Sequence, residues 1–488
     1  MGAAAGGGSQ VAAAGPLDGR HLPRHAAGNP AGRPGQGAEP ALVAGHWPQI
    51  VAGLENLDSR LPAVKPRVAV VGAGWAGLAA AVELAGEADL TVLEAGREPG
   101  GRARQVGTDG DRFDNGQHIL LGAYAECLRL MRRVGAEPES LLRRLPLQWR
   151  REGGVDMRCP RWPAPLHLAA GLLAARGLGW SAKWQLARAL LGLRAAAYRL
   201  PQDCAVADWL RDHGQQEEAL REFWRPLVLS ALNTPPEQAS MQVLATVLRD
   251  SLGARRAASD LLLPARHLSA LFPEPAWRWL AGQGADLRLG CRVRRLSREA
   301  GRLLVDGEAY DAVVLAAAPY HAAALLDEPR LRAQLQDYRY CPIVTVYLRF
   351  AASPRLPAPM MGVRGGAADW LFDREALCGE AGLVAAVLSA PPALPEQDEL
   401  VRAVLDDVRR LAPHLEQPIE CKVIVEKRAT FASAVGLRRA TVRSGAEGIY
   451  LAGDWACPDY PATLEGAARS GVAAAAAVMQ DLRMKARQ

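Results

Sequence analysis

Gly72-Ala73-Gly74-Trp75-Ala76-Gly77 keeps the spacing G-x-G-x-x-G, and an acid, Glu94, stands 20 residues beyond Gly74. Those residue types at that distance suit a dinucleotide. Gly72 makes a sharp turn, Gly74 lets a pyrophosphate come against the main chain, Gly77 permits close helix packing, and Glu94 can accept from a ribose hydroxyl. Ala73, Trp75 and Ala76 complete the loop and Ala95 follows the acid. The N–H groups at the start of the next helix face the phosphates.

A second clasp follows at once. Gly100-Gly101-Arg102 lies a short loop beyond Glu94, where two glycines allow another close main-chain approach and a planar guanidinium can hydrogen-bond or stack. Near the other end of the chain, GDWACPDYPATLEGAARSG runs from Gly453 to Gly471. Asp454 can accept hydrogen bonds from a polyol. Thr463 and Leu464 direct the first N–H groups of a helix toward one bound group, favouring an anion there by about 0.3–1 kcal/mol. A reduced flavin carries its negative charge near N1 and the C2 carbonyl, so the set indicates FAD: two clasps for the diphosphate, an acid for the ribose, a polyol acceptor and a helix for the ring. DNGQHILLGAY, Asp114 to Tyr124, then sets Gly116, Gln117 and His118 along the isoalloxazine. His118 is one candidate for proton transfer, beside an unidentified carboxylic acid or tyrosine, although a histidine there is more often a hydrogen-bonded structural group.

These residues need strands and helices to hold them. VAVVG reads as a buried parallel strand, LAAAVELAG as a helix and LTVLE as a second strand, a βαβ unit. Helical stretches dominate from Leu166 to Leu252. A second α/β passage follows, with a helix over ALFPEPAWRWLAGQG and strands around DLRLGCRVRRL and DAVVLAAAP. CPIVTVYLRF, GLVAAVLSA and ECKVIVEKRAT read as further strands, and IYLAGDW leads into an alanine-rich helix. The expectation is an α/β fold of two domains, a Rossmann-like FAD-binding domain and an inserted substrate domain.

With 488 residues, 49% of them hydrophobic, the chain can build more than one core. Residues 1–46, rich in Ala, Gly and Pro without periodicity, are expected to be a disordered extension, better explained by a mis-assigned start than by a transit peptide. Five lysines stand among 58 basic residues, the rest arginine, so a single arginine carries little signal. The net charge of +6 permits an anionic partner, but the arginines are spread out with no recognition motif, which argues against nucleic acid. Nine dispersed histidines and eight cysteines without C-x-x-C spacing give no metal site and imply a reducing cytoplasm.

GAGWAGLAAAVEL, LEAGREPGGRA, DNGQHILLGAY, CRV, DAVVLAAAP and AGDW…ATLEGAARSG together resemble the flavin amine oxidase and phytoene desaturase superfamily, over residues 66 to 482. GGRA with DNGQHILLGAY is most similar to the squalene-associated FAD-dependent desaturases, the hydroxysqualene dehydroxylases. The resemblance implies that Val293 contacts the adenine side through its backbone. It also implies an FAD-binding domain of the amine oxidase type in three parts, 66–150, 255–325 and 431–482. The substrate domain is then a helical, membrane-facing part over 151–254 and strands over 326–430. Where amine oxidases commonly place an aromatic residue, two before the Glu-Gly of the final helix, this chain has Thr463, so an amine substrate is disfavoured. The implied reaction replaces the allylic hydroxyl of hydroxysqualene by hydrogen in squalene and hopanoid synthesis.

Between Met157 and Arg199 there are seven basic residues and no acid, interleaved with Trp162, Trp180, Trp184 and many leucines. Such a stretch suits the surface of an anionic membrane, so a hydrophobic isoprenoid substrate, peripheral contact on the inner face of the bacterial membrane and upstream squalene-pathway enzymes are the expected partners. Two rivals remain at this stage. One is a carotenoid-type desaturase, or another oxidase of the same superfamily, running hydride transfer in the opposite direction; the other is a non-catalytic prenyl-lipid carrier.

Overall fold

The computed structural model describes residues 65–108 and 111–487, and the extension expected over residues 1–46 lies outside them. RVAVV forms β1 (Arg67–Val71), four of its five residues buried, as a strand covered on both faces requires. The elements α1 (Trp75–Leu84) and β2 (Asp89–Leu93) complete the unit. In chain order there follow α2 (Ala125–Arg133), α3 (Leu166–Ala174), α4 (Trp180–Ala195), β3 (Asp286–Arg288), β4 (Ala312–Leu315) and β5 (Tyr340–Arg349). Then come β6 (Met360–Gly362), β7 (Trp370–Asp373), α5 (Arg374–Cys378), β8 (Leu383–Ser389), α6 (Gln397–Leu411), β9 (Glu420–Phe431), β10 (Ile449–Leu451) and α7 (Leu464–Lys485), with shorter elements between.

A parallel sheet in the order β3-β2-β1-β4-β10 is assembled from three stretches of chain, residues 67–93, 286–315 and 449–451. The second sheet, β6-β7-β8-β5-β9, is antiparallel. Its strands alternate sides, as a period of two demands: Val344, Val346 and Leu348 of β5 pack with α6, while Tyr347 joins a cluster with Phe113, Trp149 and the helices of residues 166–252.

Two departures from the sequence expectation have local causes. β6 and β7 are three and four residues long, too short to show alternation in the sequence. The single helix expected over ALFPEPAWRWLAGQG divides at Phe272, φ −146°, into Leu268–Leu271 and Pro273–Gly282, because the residue before a proline is driven out of the helical region.

The helices that border the dinucleotide motif touch through glycine. A Cβ on Gly77 would stand 1.9 Å from the Gly72 carbonyl oxygen, and one on Gly471 of α7 would stand 2.1 Å from the Ala76 carbonyl oxygen. Only hydrogen fits at either position, so α7 lies directly against the start of α1.

Candidate functional site

β1 ends at Val71 and the chain turns through Gly72, whose N–H donates to the Leu93 carbonyl at 2.8 Å. Glu94, at the end of β2, spans the loop: one carboxylate oxygen accepts from the Ala73 N–H at 2.6 Å and the other from the Gly96 N–H at 2.6 Å. Its main-chain oxygen accepts from Cys291 N–H at 2.8 Å, which brings Val293, buried two residues on, to the same end of the sheet.

The second glycine loop is bonded to the first. Gly100 N–H donates to the Ala73 carbonyl at 2.8 Å, and a Cβ on Gly101 would lie 3.2 Å from the Cα of Gly74. The two loops form one main-chain surface without side chains between them, the shape that a diphosphate needs.

Arg102 and Asp454, 352 positions apart, meet at 2.7 Å. Arg102 also donates to the Ala429 carbonyl at 2.5 Å, and the buried Asp454 accepts from the Trp455 N–H at 3.1 Å. Burial works against the Arg102 charge, but Asp454, helped by Tyr320 and Glu426, holds the guanidinium above its ordinary value. Arg439 ties down the turn after Asp454, donating to the Asp454 carbonyl at 2.9 Å and to that of Cys457.

Asn115 donates to the Arg102 carbonyl at 3.1 Å and to the Glu426 carboxylate at 3.2 Å, which carries the DNGQH loop to the clasps and to β9. Gln117 is turned toward the antiparallel sheet. Its amide donates to Tyr347 at 2.9 Å and accepts from Arg374 at 3.1 Å. Arg374 in turn pairs with Asp114 at 3.1 Å, both side chains almost wholly buried, and with Glu380 at 2.5 Å. Tyr347 donates to the Asp114 carbonyl at 2.9 Å. The loop is therefore fastened to β5 and α5 by a buried polar network.

Burial pushes His118 down to about 4; a main-chain hydrogen bond at Gly116 opposes the shift and the Arg102 charge adds to it. The imidazole is neutral at neutral pH. A folded value below the ordinary 6.5 means that, as pH falls from about 6.5 to about 4, the unfolded chain binds a proton that the folded chain does not. His118 therefore withdraws stability across that window and none further below it. His118→Gln is expected to lose less stability than the parent between those pH values, read from urea midpoints measured at each pH; parallel curves would contradict the burial of a neutral ring.

At the start of α7 the Thr463 hydroxyl accepts from the Gly466 N–H at 3.1 Å, and Tyr124, closing the DNGQHILLGAY stretch, reaches the Thr463 side chain. Glu465 points elsewhere. Fully buried, it accepts from the N–H groups of Glu126 and Cys127 at 3.2 and 3.0 Å, a carboxylate at the N-terminus of α2.

The structure thus joins the two glycine loops, Glu94, Arg102, Asp454 and the Gly116–His118 loop around one place. Buried polar atoms gather there without a hydrogen-bond partner among the described residues: His118 Nδ1, the Tyr340 hydroxyl, and Nε and Nη1 of Arg439. An anionic, hydroxyl-bearing group satisfies such atoms, so the residues present fit FAD. Sequence reasoning missed Tyr340, Tyr347, Arg374, Glu426 and Arg439. Tyr347 alone left a trace, a polar tip in the apolar run CPIVTVYLRF.

A family profile described as flavin containing amine oxidoreductase matches residues 75–479. The chain is 33% identical to a hydroxysqualene dehydroxylase of Rhodopseudomonas palustris, over 84% of this chain and 98% of that protein. It is 26% identical to a protein of Synechococcus elongatus named probable zeta-carotene desaturase, over 85% and 98%. In fold it is similar to the cyclohexylamine oxidase of Brevibacterium oxydans, with a TM-score of 0.63 and 20% identity, covering 86% of this chain and all of that one.

Proposed function

The chain belongs to the flavin-containing amine oxidoreductase family, and from that membership we propose that it catalyses the reductive removal of the allylic hydroxyl of hydroxysqualene, giving squalene and water. The observation that carries this reading is the likeness to the Rhodopseudomonas dehydroxylase over 84% of this chain and 98% of that protein. Thr463, where an aromatic side chain would help to cage an amine, agrees with it.

Gly74 and Gly101 offer main chain to the diphosphate of FAD, Glu94 the ribose acceptor, Arg102 and Asp454 polar contacts to the polyol, and the N-terminus of α7 its partial charge to the ring. When bound, reduced FAD supplies the hydride that replaces the hydroxyl. The hydroxyl leaves as water, which takes one proton. His118, neutral at the working pH, does not supply that proton as an imidazolium; its N–H can hydrogen-bond the departing oxygen and orient it. The antiparallel sheet and its helices provide the apolar wall against which a C30 chain lies and from which water is excluded.

A substrate of this kind dissolves in a bilayer. We place the protein on the inner face of the bacterial membrane, receiving its substrate from the enzymes that make it in squalene and hopanoid synthesis. No helix among the described residues is long and apolar enough to cross a membrane, which agrees with a contact at its surface.

The test is to reduce the flavoprotein anaerobically, add hydroxysqualene in detergent, and follow flavin reoxidation together with product mass. Squalene in step with reoxidation is expected. Absence of squalene, with phytoene desaturated instead by the oxidised protein, would overturn the proposal.

A further inference from the structure

Twelve large apolar side chains stand exposed among the described residues, and six of them, Trp162, Leu166, Leu173, Trp180, Trp184 and Leu191, belong to α3, α4 and the segment just before α3. Trp180 and Trp184 are 73% and 68% exposed. At about 100° per residue, Trp180, Trp184 and Leu191 fall on one narrow stripe of α4. The opposite stripe, Ala182, Leu186, Ala189 and Leu193, is buried in the interior. α4 is apolar on two faces, and the fold uses one.

The charges around that stripe divide by function. Lys183, read from the sequence as one of the surface cations, is buried; its ammonium donates to the Leu173 carbonyl at 2.8 Å and ties the end of α3 to α4. Arg158 pairs with Asp156 at 3.1 Å and Arg188 donates to the His213 carbonyl at 2.8 Å. Arg161, Arg176 and Arg194 are exposed. At the open end of the hairpin, beside Trp162, a cavity of about 450 Å³ is lined by Pro163, Ala164, Arg194, Gly253, Arg255 and Arg256. Arg256 is held by Asp260 at 2.7 Å, whereas Arg194 and Arg255 have no acidic partner among the described residues.

We infer that the α3–α4 hairpin docks on an anionic phospholipid bilayer, its exposed tryptophans and leucines entering the boundary of head groups and acyl chains while a head-group phosphate occupies the cavity between Arg194, Arg255 and Arg256. Tryptophan is at home at that boundary, and a guanidinium meets phosphate with two hydrogen bonds. With no acid between Met157 and Arg199, nothing on the hairpin repels the lipid. The inner face of α4 shares a cluster with Phe113, one residue before the loop that borders the flavin, so the lipid-facing element and the cofactor loop are walls of one apolar interior. This inference rests on the membrane placement proposed above and adds its residues and its lipid chemistry.

Flotation of the full-length flavoprotein tests it, with vesicles of phosphatidylcholine alone or of phosphatidylcholine and phosphatidylglycerol in equal parts. The parent is expected to float with the mixed vesicles and poorly with phosphatidylcholine. Arg194→Gln with Arg255→Gln is expected to weaken partition about 25-fold, since each basic residue near such a surface contributes about fivefold. Trp180→Ser with Trp184→Ser is expected to abolish flotation. Both double variants should turn over hydroxysqualene in detergent at the parental rate, which also shows that they fold. Equal flotation of parent and variants, or equal binding to the two vesicle types, overturns the inference and leaves the catalytic proposal standing. A parent that floats as expected but makes no squalene in detergent overturns the catalytic proposal and leaves the docking surface standing.

Discussion

Arg374→Met is expected to destabilise the folded protein by about 3–5 kcal/mol, the range for removing one member of a buried ion pair and leaving the other charge without its partner. The side chains of Arg374 and Asp114 are 3% and 1% exposed, so water cannot replace the lost guanidinium, and Glu380 loses the same partner. Methionine keeps the unbranched apolar stem, so what is removed is chiefly the guanidinium and its charge. The deficit should depend on pH in a definite direction. Burial already holds the Asp114 carboxyl above its ordinary value, and Arg374 is the main force against that rise. In the variant the folded value rises further, so the penalty is smallest below the ordinary carboxylate value of about 3.9, grows as pH climbs through the raised folded value, and is constant above it. Urea unfolding across pH would show this. The same variant frees Gln117 from Arg374, so its flavin content after gel filtration should fall as well. A loss below about 1 kcal/mol at neutral pH, with full flavin content, would mean that the network does not fasten the loop.

That network also shows which part of the site a sequence can disclose. Gly72, Gly74, Gly77 and Glu94 answer to constraints within one βαβ unit, where a turn, a helix start and an acid are fixed by short stretches of chain, so their spacing carries the information. Arg374 meets Asp114 across 260 positions and Arg102 meets Asp454 across 352. No local pattern marks such pairs, and in a chain whose basic residues are nearly all arginine a single one has no compositional weight. Asp454 and Arg102 were each legible as polar groups for the cofactor, but that they pair with one another was not. The break at Phe272 was legible in principle, because Pro273 follows it. The burial of Lys183 was not, since the carbonyl that captures it belongs to the preceding helix. The fold class was legible because parallel strands buried on both faces are continuous apolar runs, whereas β6 and β7 are too short to have any pattern.

The packing of α7 on α1 leads to a second large effect. In Gly471→Ala the new Cβ would stand 2.1 Å from the Ala76 carbonyl oxygen and 2.8 Å from the Ala79 Cβ. A main-chain oxygen cannot swing aside as a flexible side chain can, so the two helices must separate. Alanine in a helix is worth up to about 1 kcal/mol over glycine, but overpacking a tight contact typically costs about 1–3 kcal/mol and sometimes more, so the net effect is a loss. The functional effect should exceed the loss of stability. With FAD held as proposed above, the N-terminus of α1 would face the diphosphate and that of α7 the ring, so separating the helices would move apart the two ends of the cradle, with Thr463 and Leu464 on one side and Gly74 on the other. Flavin bound per polypeptide is expected to fall several-fold at a temperature where the apoprotein remains folded by circular dichroism. Gly192→Ala is the matched control, because that glycine lies within α4 and a Cβ there meets nothing within 4 Å; it should raise Tm slightly and leave the flavin in place. Were Gly471→Ala to behave like Gly192→Ala, the close approach of α7 to α1 would not exist, and the helix assigned to the flavin ring would have no fixed position relative to the diphosphate loops.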